Sequence, residues 1–268
     1  MKSFYLNIKE RLIEITKEVA DAIRSAPYEI EEKGDIKNIV TTSDITSQRM
    51  LVERLSSLIP GSQFFCEEEG LQCTDGEFIW VIDPIDGTTN YSRGIPECAI
   101  SVALLHNGEA VVGVVRSILD SEVYAAVKGC GATLCGEPIR ASSRSFAEGI
   151  LCTAMSLYKK EHAKVCSDII YEAYMRCNDV RRFGGCAKEL CYLAAGRVDL
   201  YFEIRVFPWD FAAAALILRE AGGVLKGLGD REASMTAPTV AIAANNEENY
   251  RILADIVNKH LPKTPYED

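Results

Sequence analysis

Apolar residues return at helical spacing in the first stretch of the chain. Leu6, Ile13, Val19, Ala20 and Ile23 share one face, which predicts an amphipathic helix over residues 3 to 26, ended near Pro27. The next segment, YEIEEKGDIKNIVTTSD, is rich in charge and poor in core residues, and predicts a mobile loop or a hairpin. From Asp44 the run DITSQRMLVERLSSLIP resumes the helical period, with Asp44 or Ser43 as its cap and Pro60-Gly61 as its stop. SQFFCEEEG then predicts a short strand closing on three glutamates, and EFIWVID a second strand closing on Asp83. In CAISVALLHNGEAVVGVVRS, two apolar runs flank Asn107-Gly108 and predict a β-hairpin. EVYAAVKG supplies one more strand before the turn GCGATLCGEPIR.

Beyond about residue 145 strands alternate with helices. GILCTAM, NDVRRF, VDLYFE and TVAIAAN predict strands, and helices fall near 160 to 175 and from about 185 to 195. Two more cover WDFAAAALILREAGG, with Gly222 at its C-terminal cap, and EENYRILADIVNKH. The change of rhythm predicts two lobes: an antiparallel-rich α+β lobe over residues 1–145 and an α/β lobe over 146–268.

Composition narrows the class. The 268 residues carry a formal charge of −10, and the lysines and arginines are scattered rather than gathered in a stripe, which argues against nucleic acid as a partner. The N-terminal stretch mixes charge into its apolar positions and never reaches the run of a signal peptide or membrane span, so no membrane partner is expected and the expected compartment is the cytoplasm. The ten cysteines lack zinc-type spacing and are read as reduced, mostly buried small apolar residues.

The candidate chemistry lies in WVIDPIDGTTNY, where Asp83 and Asp86 follow an apolar run and precede a Gly-Thr-Thr turn. Taken singly, such an aspartate is a helix cap or an ion-pair partner. Two of them three positions apart repel one another unless a cation lies between, and hard cations such as Mg²⁺ take carboxylate oxygen, water and phosphate as ligands. Gly87 permits close backbone approach, and Thr88 offers a hydroxyl at a helix start, where N–H groups can face an anion.

DPIDGTTN also resembles the signature of the inositol monophosphatase family, metal-dependent phosphatases of the wider fructose-1,6-bisphosphatase-like fold. Further similarities follow in order along almost the whole chain: KGDIKNIVTTSD, CEEEG, RRFGGCAKELCYLAAGRVDLYFE, and Trp209-Asp210 ahead of REAGG. The resemblance implies a layered α-β-α-β-α sandwich of two lobes, the first carrying most metal ligands and the second completing the metal and substrate site. It implies two or three Mg²⁺ ions on Glu67, Asp83, the Ile85 carbonyl, Asp86 and Asp210, with Glu68 as companion to Glu67. Thr88 paired with Asp44 would orient and deprotonate the attacking water, beside Glu67 and its metal, and the backbone N–H groups of Gly87 and Thr88 would hold phosphate. Asp86 and Glu203 would meet substrate hydroxyls, and Lys33 stands where the family has a lysine. Three positions depart from the family pattern: Cys66 for glycine, Asn38 for aspartate, and Gly185 for serine or threonine, the last removing a hydroxyl near the expected pocket. The implied activity is Mg-dependent hydrolysis of inositol monophosphate or a related small polyol or sugar phosphate by metal-activated water attack, in a homodimer.

Other readings bear on the substrate and on activity itself. A bisphosphate such as fructose 1,6-bisphosphate or 3'-phosphoadenosine 5'-phosphate would need its own cationic clamp, for which Arg181, Arg182, Arg205 and Lys226 are candidates, Arg205 first because it follows Glu203 by two. A nucleophilic hydrolase is disfavoured by the absence of GxSxG and of a triad around His106, His162 and His260, and no GxxxxGK run is present. A catalytically inactive binder is the remaining alternative.

Overall fold

The computed structural model describes residues 1–35, 38–68, 70–155 and 159–261, with the backbone alone for 31–35, 38 and 39; the side chains of Lys33 and Asn38 thus lie outside the described residues. Five layers stack on one another. Helices α1 (Lys2–Ser25) and α2 (Thr42–Leu58) cover the outer face of a seven-stranded sheet, which runs in chain order from β3 (Gln63–Cys66) to β9 (Glu137–Ile139). Its members between these are β4 (Phe78–Asp86), β5 (Ala99–His106), β6 (Glu109–Ser117), β7 (Val123–Val127) and β8 (Ala132–Leu134), all antiparallel to their neighbours except the parallel pair β3–β4. Helices α5 (Cys186–Ala194) and α6 (Pro208–Glu220) form the middle layer. A five-stranded sheet follows, ordered β11 (Asp179–Arg181), β10 (Ile150–Ala154), β12 (Leu200–Val206), β14 (Thr239–Ala244), β13 (Val224–Lys226), and α4 (Ala163–Tyr174) with α7 (Glu247–His260) closes the far side. This is the α-β-α-β-α sandwich expected.

Three apolar clusters hold the layers together. Leu12, Val19, Leu55, Trp80 and Ile82 pack under α1 and α2; Leu151, Phe202, Ile242 and Leu253 pack under α4 and α7. Between the sheets, Val81, Ala103, Leu190, Phe211 and Ala243 join in one cluster, and the run Ala212 to Ala215 lets α6 lie close to its neighbours. α6 is buried nearly all round, as a helix between two sheets must be.

Several local expectations need correction. The charged segment after α1 is not among them: it forms the hairpin, one of its two expected forms, with β1 (Ile30–Asp35) antiparallel to β2 (Asn38–Thr41). Thr41, not Ser43 or Asp44, is the N-cap of α2; the Asp44 carboxylate reaches back from the third helical position to the Thr41 N–H, 2.7 Å, and hydroxyl, 2.6 Å. The GCGATLCGEPIR stretch is a small hairpin, β8 with β9, rather than a turn, and β13 is a strand that the Gly-Gly pair before it conceals. Ala221 is the C-cap of α6, and Gly222 follows it with φ +91°, the left-handed turn that ends the helix.

Candidate active site

A β-bulge creates the pairing of the two aspartates. On a regular strand, residues three apart point to opposite faces. Instead β4 continues past Asp83 to Asp86, with Asp83 opposite Ser101 and Asp86 opposite Ala99, so Pro84 and Ile85 together face Ile100. Ile85 consequently turns outward into the α1–α2 cluster, while Asp83 and Asp86 share the face toward α5 and α6. Proline, which cannot donate to the ladder, sits within the bulge, and Ser47 of α2 donates to its carbonyl at 2.9 Å.

Each carboxylate is then fixed by backbone. Asp83 Oδ1 accepts from the Ile85 N–H at 2.9 Å. Asp86 meets the N-terminus of α5: Oδ1 accepts from Cys186 at 3.0 Å and Oδ2 from Ala187 at 2.9 Å, with the Lys188 N–H at 3.4 Å. An anion there satisfies free helix donors and the positive end of the helix dipole. Asp210, in the first turn of α6, accepts from the Phe207 N–H at 2.7 Å, and Ser101 ties that turn to β5 through the Trp209 carbonyl. Glu67 follows β3, its N–H donating to the Ile82 carbonyl beside Asp83.

These carboxylates act on one another. Burial, then the charges of Glu67, Asp86 and Asp210, hold the Asp83 carboxyl well above its ordinary range. Burial, then Glu67, does the same to Asp210, while burial lifts Asp86 to about 6 against the opposing pull of its α5 hydrogen bonds. No lysine or arginine figures among the groups acting most strongly on Asp83 or Asp210. Among the described residues no three acidic, histidine or cysteine side chains stand as a ready ligand set, and each aspartate turns an oxygen toward a backbone N–H. The chemistry nevertheless fits a hard dication: the converging donors are carboxylates, and their excess charge is what such an ion relieves.

Beside them, the Thr88 hydroxyl lies 3.2 Å from Asp44 Oδ1 and 3.1 Å from the Ile85 carbonyl. Asp44 is fully buried, and burial raises its carboxyl, with Glu68 adding like charge. Glu68 is buried, and its N–H donates to Gln48 of α2. Gly87 caps the short helix α3 (Thr88–Tyr91) at φ +82°, and a Cβ there would lie 2.7 Å from the Glu97 carbonyl, so only glycine fits. Gly185, immediately before α5, is similarly enclosed, since a Cβ would meet Asp86 Oδ2 at 3.0 Å.

Glu203, half-buried on β12, joins from the second sheet. The Tyr201 hydroxyl donates to its Oε2 at 2.5 Å, burial lifts its carboxyl to about 7, and its charge is felt by Asp210. The candidate clamp is less unified. Arg181 pairs with Asp179 at 2.5 Å and Lys226 with Glu247 at 3.6 Å, the latter across a cleft of about 770 Å³ at the C-terminal end of α6, away from Asp210. Arg182 is exposed and acts on Glu203, and Arg205 stacks over the Phe207 ring. The α5 N–H groups on Asp86, the Ser47 tie and the Tyr201 hydroxyl had no signal in the sequence beyond their residue types.

Residues 2–261 match the inositol monophosphatase family. The Nus factor SuhB of Escherichia coli (strain K12) is 38% identical over 216 residues, 80% of this chain and 79% of the relative. Among solved structures, the extragenic suppressor protein suhB of Bartonella henselae superposes with a TM-score of 0.86 at 26% identity, over 95% of this chain and 100% of that one. The IMPase of Thermotoga maritima gives 0.81 at 32% identity, over 93% and 97%.

Proposed function

The chain belongs to the inositol monophosphatase family, a family of metal-dependent phosphatases, and from that premise we propose that it hydrolyses inositol monophosphate or a related small polyol or sugar phosphate with Mg²⁺. One observation carries the reading: the β4 bulge and the first turn of α6 bring Asp83 and Asp86, both buried, together with the half-buried Asp210 and Glu67 as mutually repelling carboxylates.

In this reading Glu67, Asp83, Asp86, Asp210 and the Ile85 carbonyl hold two or three Mg²⁺ ions, which supply a lowered water pKa and charge neutralisation at the phosphate and leaving oxygen. The protein's own groups do the remainder. Asp44 accepts the Thr88 hydroxyl hydrogen, so that as the Thr88 oxygen takes a proton from a water its own proton passes to Asp44, and the hydroxide left behind is aimed at phosphorus. The N–H groups of Gly87 and Thr88 bind phosphate oxygens, which the left-handed turn at Gly87 makes accessible. Glu203, steadied by Tyr201, and Asp86 accept hydrogen bonds from hydroxyls of the departing alcohol.

The same proposal places the protein in the cytoplasm as a homodimer of two-lobed chains divided near residue 145. Among the described residues no helix is long and apolar enough to cross a membrane, and none of the ten cysteines is in a disulfide. Phosphate release from inositol 1-phosphate is expected with Mg²⁺ and is abolished by EDTA. Silence on inositol 1-phosphate, fructose 1,6-bisphosphate, 3'-phosphoadenosine 5'-phosphate and histidinol phosphate would overturn the reading in favour of a non-catalytic binder. The likeness to a relative named a Nus factor would then guide the search for its partner.

A further inference from the structure

The entry into α5 has no cap of its own. Its N-cap is Gly185, which has no side chain to offer, and the first three N–H groups of the helix go to Asp86 from β4. Gly184, at φ +92°, precedes it, and two successive glycines make the least constrained backbone a chain can have. Asp86 keeps both oxygens filled only while α5 starts where it does, so this backbone has to be held from outside the helix end.

Two side chains hold it from opposite sides. Asn90 of α3 donates through Nδ2 to the Phe183 and Glu97 carbonyls, both at 2.8 Å. Glu189 reaches back from the first turn of α5 and accepts the Phe183 and Gly184 N–H groups on one oxygen, Oε1, at 2.7 Å each. Its other oxygen shows which form the group takes. Glu189 is 1% exposed, and Oε2 is buried without a hydrogen-bond partner among the described residues. A charged carboxylate would leave that oxygen uncompensated, whereas a protonated acid sets its carbonyl on the two N–H groups and leaves only a neutral hydroxyl unfilled. Burial, joined by the charges of Glu203 and Asp86 and opposed by the two N–H bonds, lifts the carboxyl from 4.5 to about 8, in the same direction. The side chain thus serves as a neutral acceptor, a role that an amide can also fill.

The start of α5 lies between the two groups assigned above to substrate hydroxyls. Cys186, its first residue, gives its N–H to Asp86, and after burial the Glu203 charge acts most strongly on its thiol.

We propose that Glu189 is a positioning residue for substrate binding: it holds the Phe183–Gly184 backbone and so fixes the start of α5 between Asp86 and Glu203, where the alcohol portion of the substrate is read. The inference rests on the phosphatase reading above and adds to it a residue that touches neither metal nor substrate.

Two variants separate the acceptor from the bulk. Glu189→Gln keeps a carbonyl oxygen for both N–H groups, and Glu189→Met fills a similar volume with no such acceptor. On inositol 1-phosphate with Mg²⁺, Glu189→Gln is expected to stay within about twofold of the wild type in kcat and KM, while Glu189→Met raises KM about tenfold with kcat within about threefold. Hydrogen–deuterium exchange on the metal-free proteins gives a second readout. The amides of residues 183–188 should exchange about tenfold faster in Glu189→Met than in the wild type, and at the wild-type rate in Glu189→Gln. A lower melting temperature in Glu189→Met with KM and this exchange unchanged overturns the inference, leaving an acid that only supports the fold. So does a fall in kcat with KM unchanged, or a Glu189→Gln variant that loses as much as Glu189→Met. If Glu189→Met does not fold, Glu189→Gln decides: wild-type KM and exchange support the neutral acceptor, and a raised KM or faster exchange overturns it. Absence of turnover by the wild-type protein overturns the phosphatase reading, and the exchange comparison, which needs no substrate, still decides whether Glu189 holds the loop.

Discussion

The first turn of α5 separates two collections of buried charge that are built to opposite rules. On one side the Lys188 ammonium, 1% exposed, contacts Asp120 at 2.7 Å, the Pro96 carbonyl at 2.5 Å and Glu97 at 3.5 Å, while Tyr192 donates to Glu97 at 2.7 Å. On the other, Asp83, Asp86, Asp210 and Glu67 gather: each aspartate accepts from backbone N–H groups, Glu67 bonds Asp83, and Lys188 reaches Asp86 only as a minor charge behind its α5 hydrogen bonds. The same nine-residue helix serves both, lending its side chain to one and its N–H groups to the other. Burying a carboxylate is tolerable when a cation and hydrogen bonds compensate it, and the chain supplies both around Lys188. Around Asp83 it supplies only hydrogen bonds, so the compensating charge is left to come from solution.

The sharpest way to break this comparison is Asp83→Asn. The amide oxygen can keep the Ile85 hydrogen bond, so the variant is expected to fold, yet Mg²⁺-dependent phosphate release should fall by a factor on the order of 10³ or more. Without metal its melting temperature should equal or exceed that of the wild type, because one member of a repelling set has been neutralised. A clearly lower metal-free melting temperature would mean that Asp83 already has its counter-charge within the protein.

Removing the cation from the completed collection should act the other way. Lys188→Met leaves Glu97 and Asp120 facing a buried apolar chain, at an expected cost of roughly 3 kcal/mol, toward the lower end for breaking a buried pair because the Asp120 side chain is 35% exposed. That corresponds to a melting temperature lower by roughly 6–10 °C. Adding Asp120→Asn should recover part of the loss. Calorimetry showing no change in Lys188→Met would place this collection among paired surface charges rather than internal supports.

Protons can stand in for the missing cation, and the sign follows from the direction of the shifts. Asp83 and Asp210 are raised, Asp86 is raised from 3.8 to about 6, and Glu189, whose Oε2 is buried without a partner, from 4.5 to about 8. Between its ordinary and its raised value each group binds more protons folded than unfolded. Its contribution is therefore fully present below the ordinary value and is lost as pH rises through the raised one. In EDTA the melting temperature is expected to fall as pH rises from about 4 to 8. Mg²⁺ should offset the share due to the aspartates but not the share due to Glu189, which Glu189→Gln should remove. A metal-free melting temperature that rises across this range would contradict the assignment of uncompensated carboxylates.

The sequence made one of the two collections visible and hid the other. DPIDGTTN announces its carboxylates because acid, proline and glycine stand together in a short run. What it could not announce is the bulge, which depends on the register against Ser101 and Ala99. Nor could it give the docking of Asp86 on Cys186 and Ala187, which lie 100 and 101 residues away. Lys188 in CAKELCYLAA reads as a solvent-facing lysine on an amphipathic helix, and its burial exists only because the segments before β5 and after β6 bring Glu97 and Asp120 to it. Long elements were legible from their period, as α1 and the Asn107-Gly108 hairpin were. Three-residue strands such as β8 and β13 were not, because so short a run has no period to read. The cap of α2 was misplaced for another reason: Thr41, Thr42, Ser43 and Asp44 are all cap formers, and the choice falls to the residue that Asp44 can reach back to.

The smallest effect separates support from charge within the site itself. Tyr201 is fully buried, and its hydroxyl donates to Glu203 Oε2, so Tyr201→Phe removes one hydrogen bond to a carboxylate without changing the shape of the core. A bond to a charged group contributes about 1.5–3 kcal/mol where both partners are dry, and less here because Glu203 is only half-buried. Glu203 is expected to stay in place but to lose its fixed orientation, raising KM for the polyol ester about three- to tenfold with little change in kcat, since it reads the alcohol rather than the reacting phosphate. Steady-state kinetics on inositol 1-phosphate measure this directly. A fall in kcat with KM unchanged would move Glu203 from reading the substrate to the chemical step, and Glu203 would then belong with Asp210, whose carboxyl already responds to its charge.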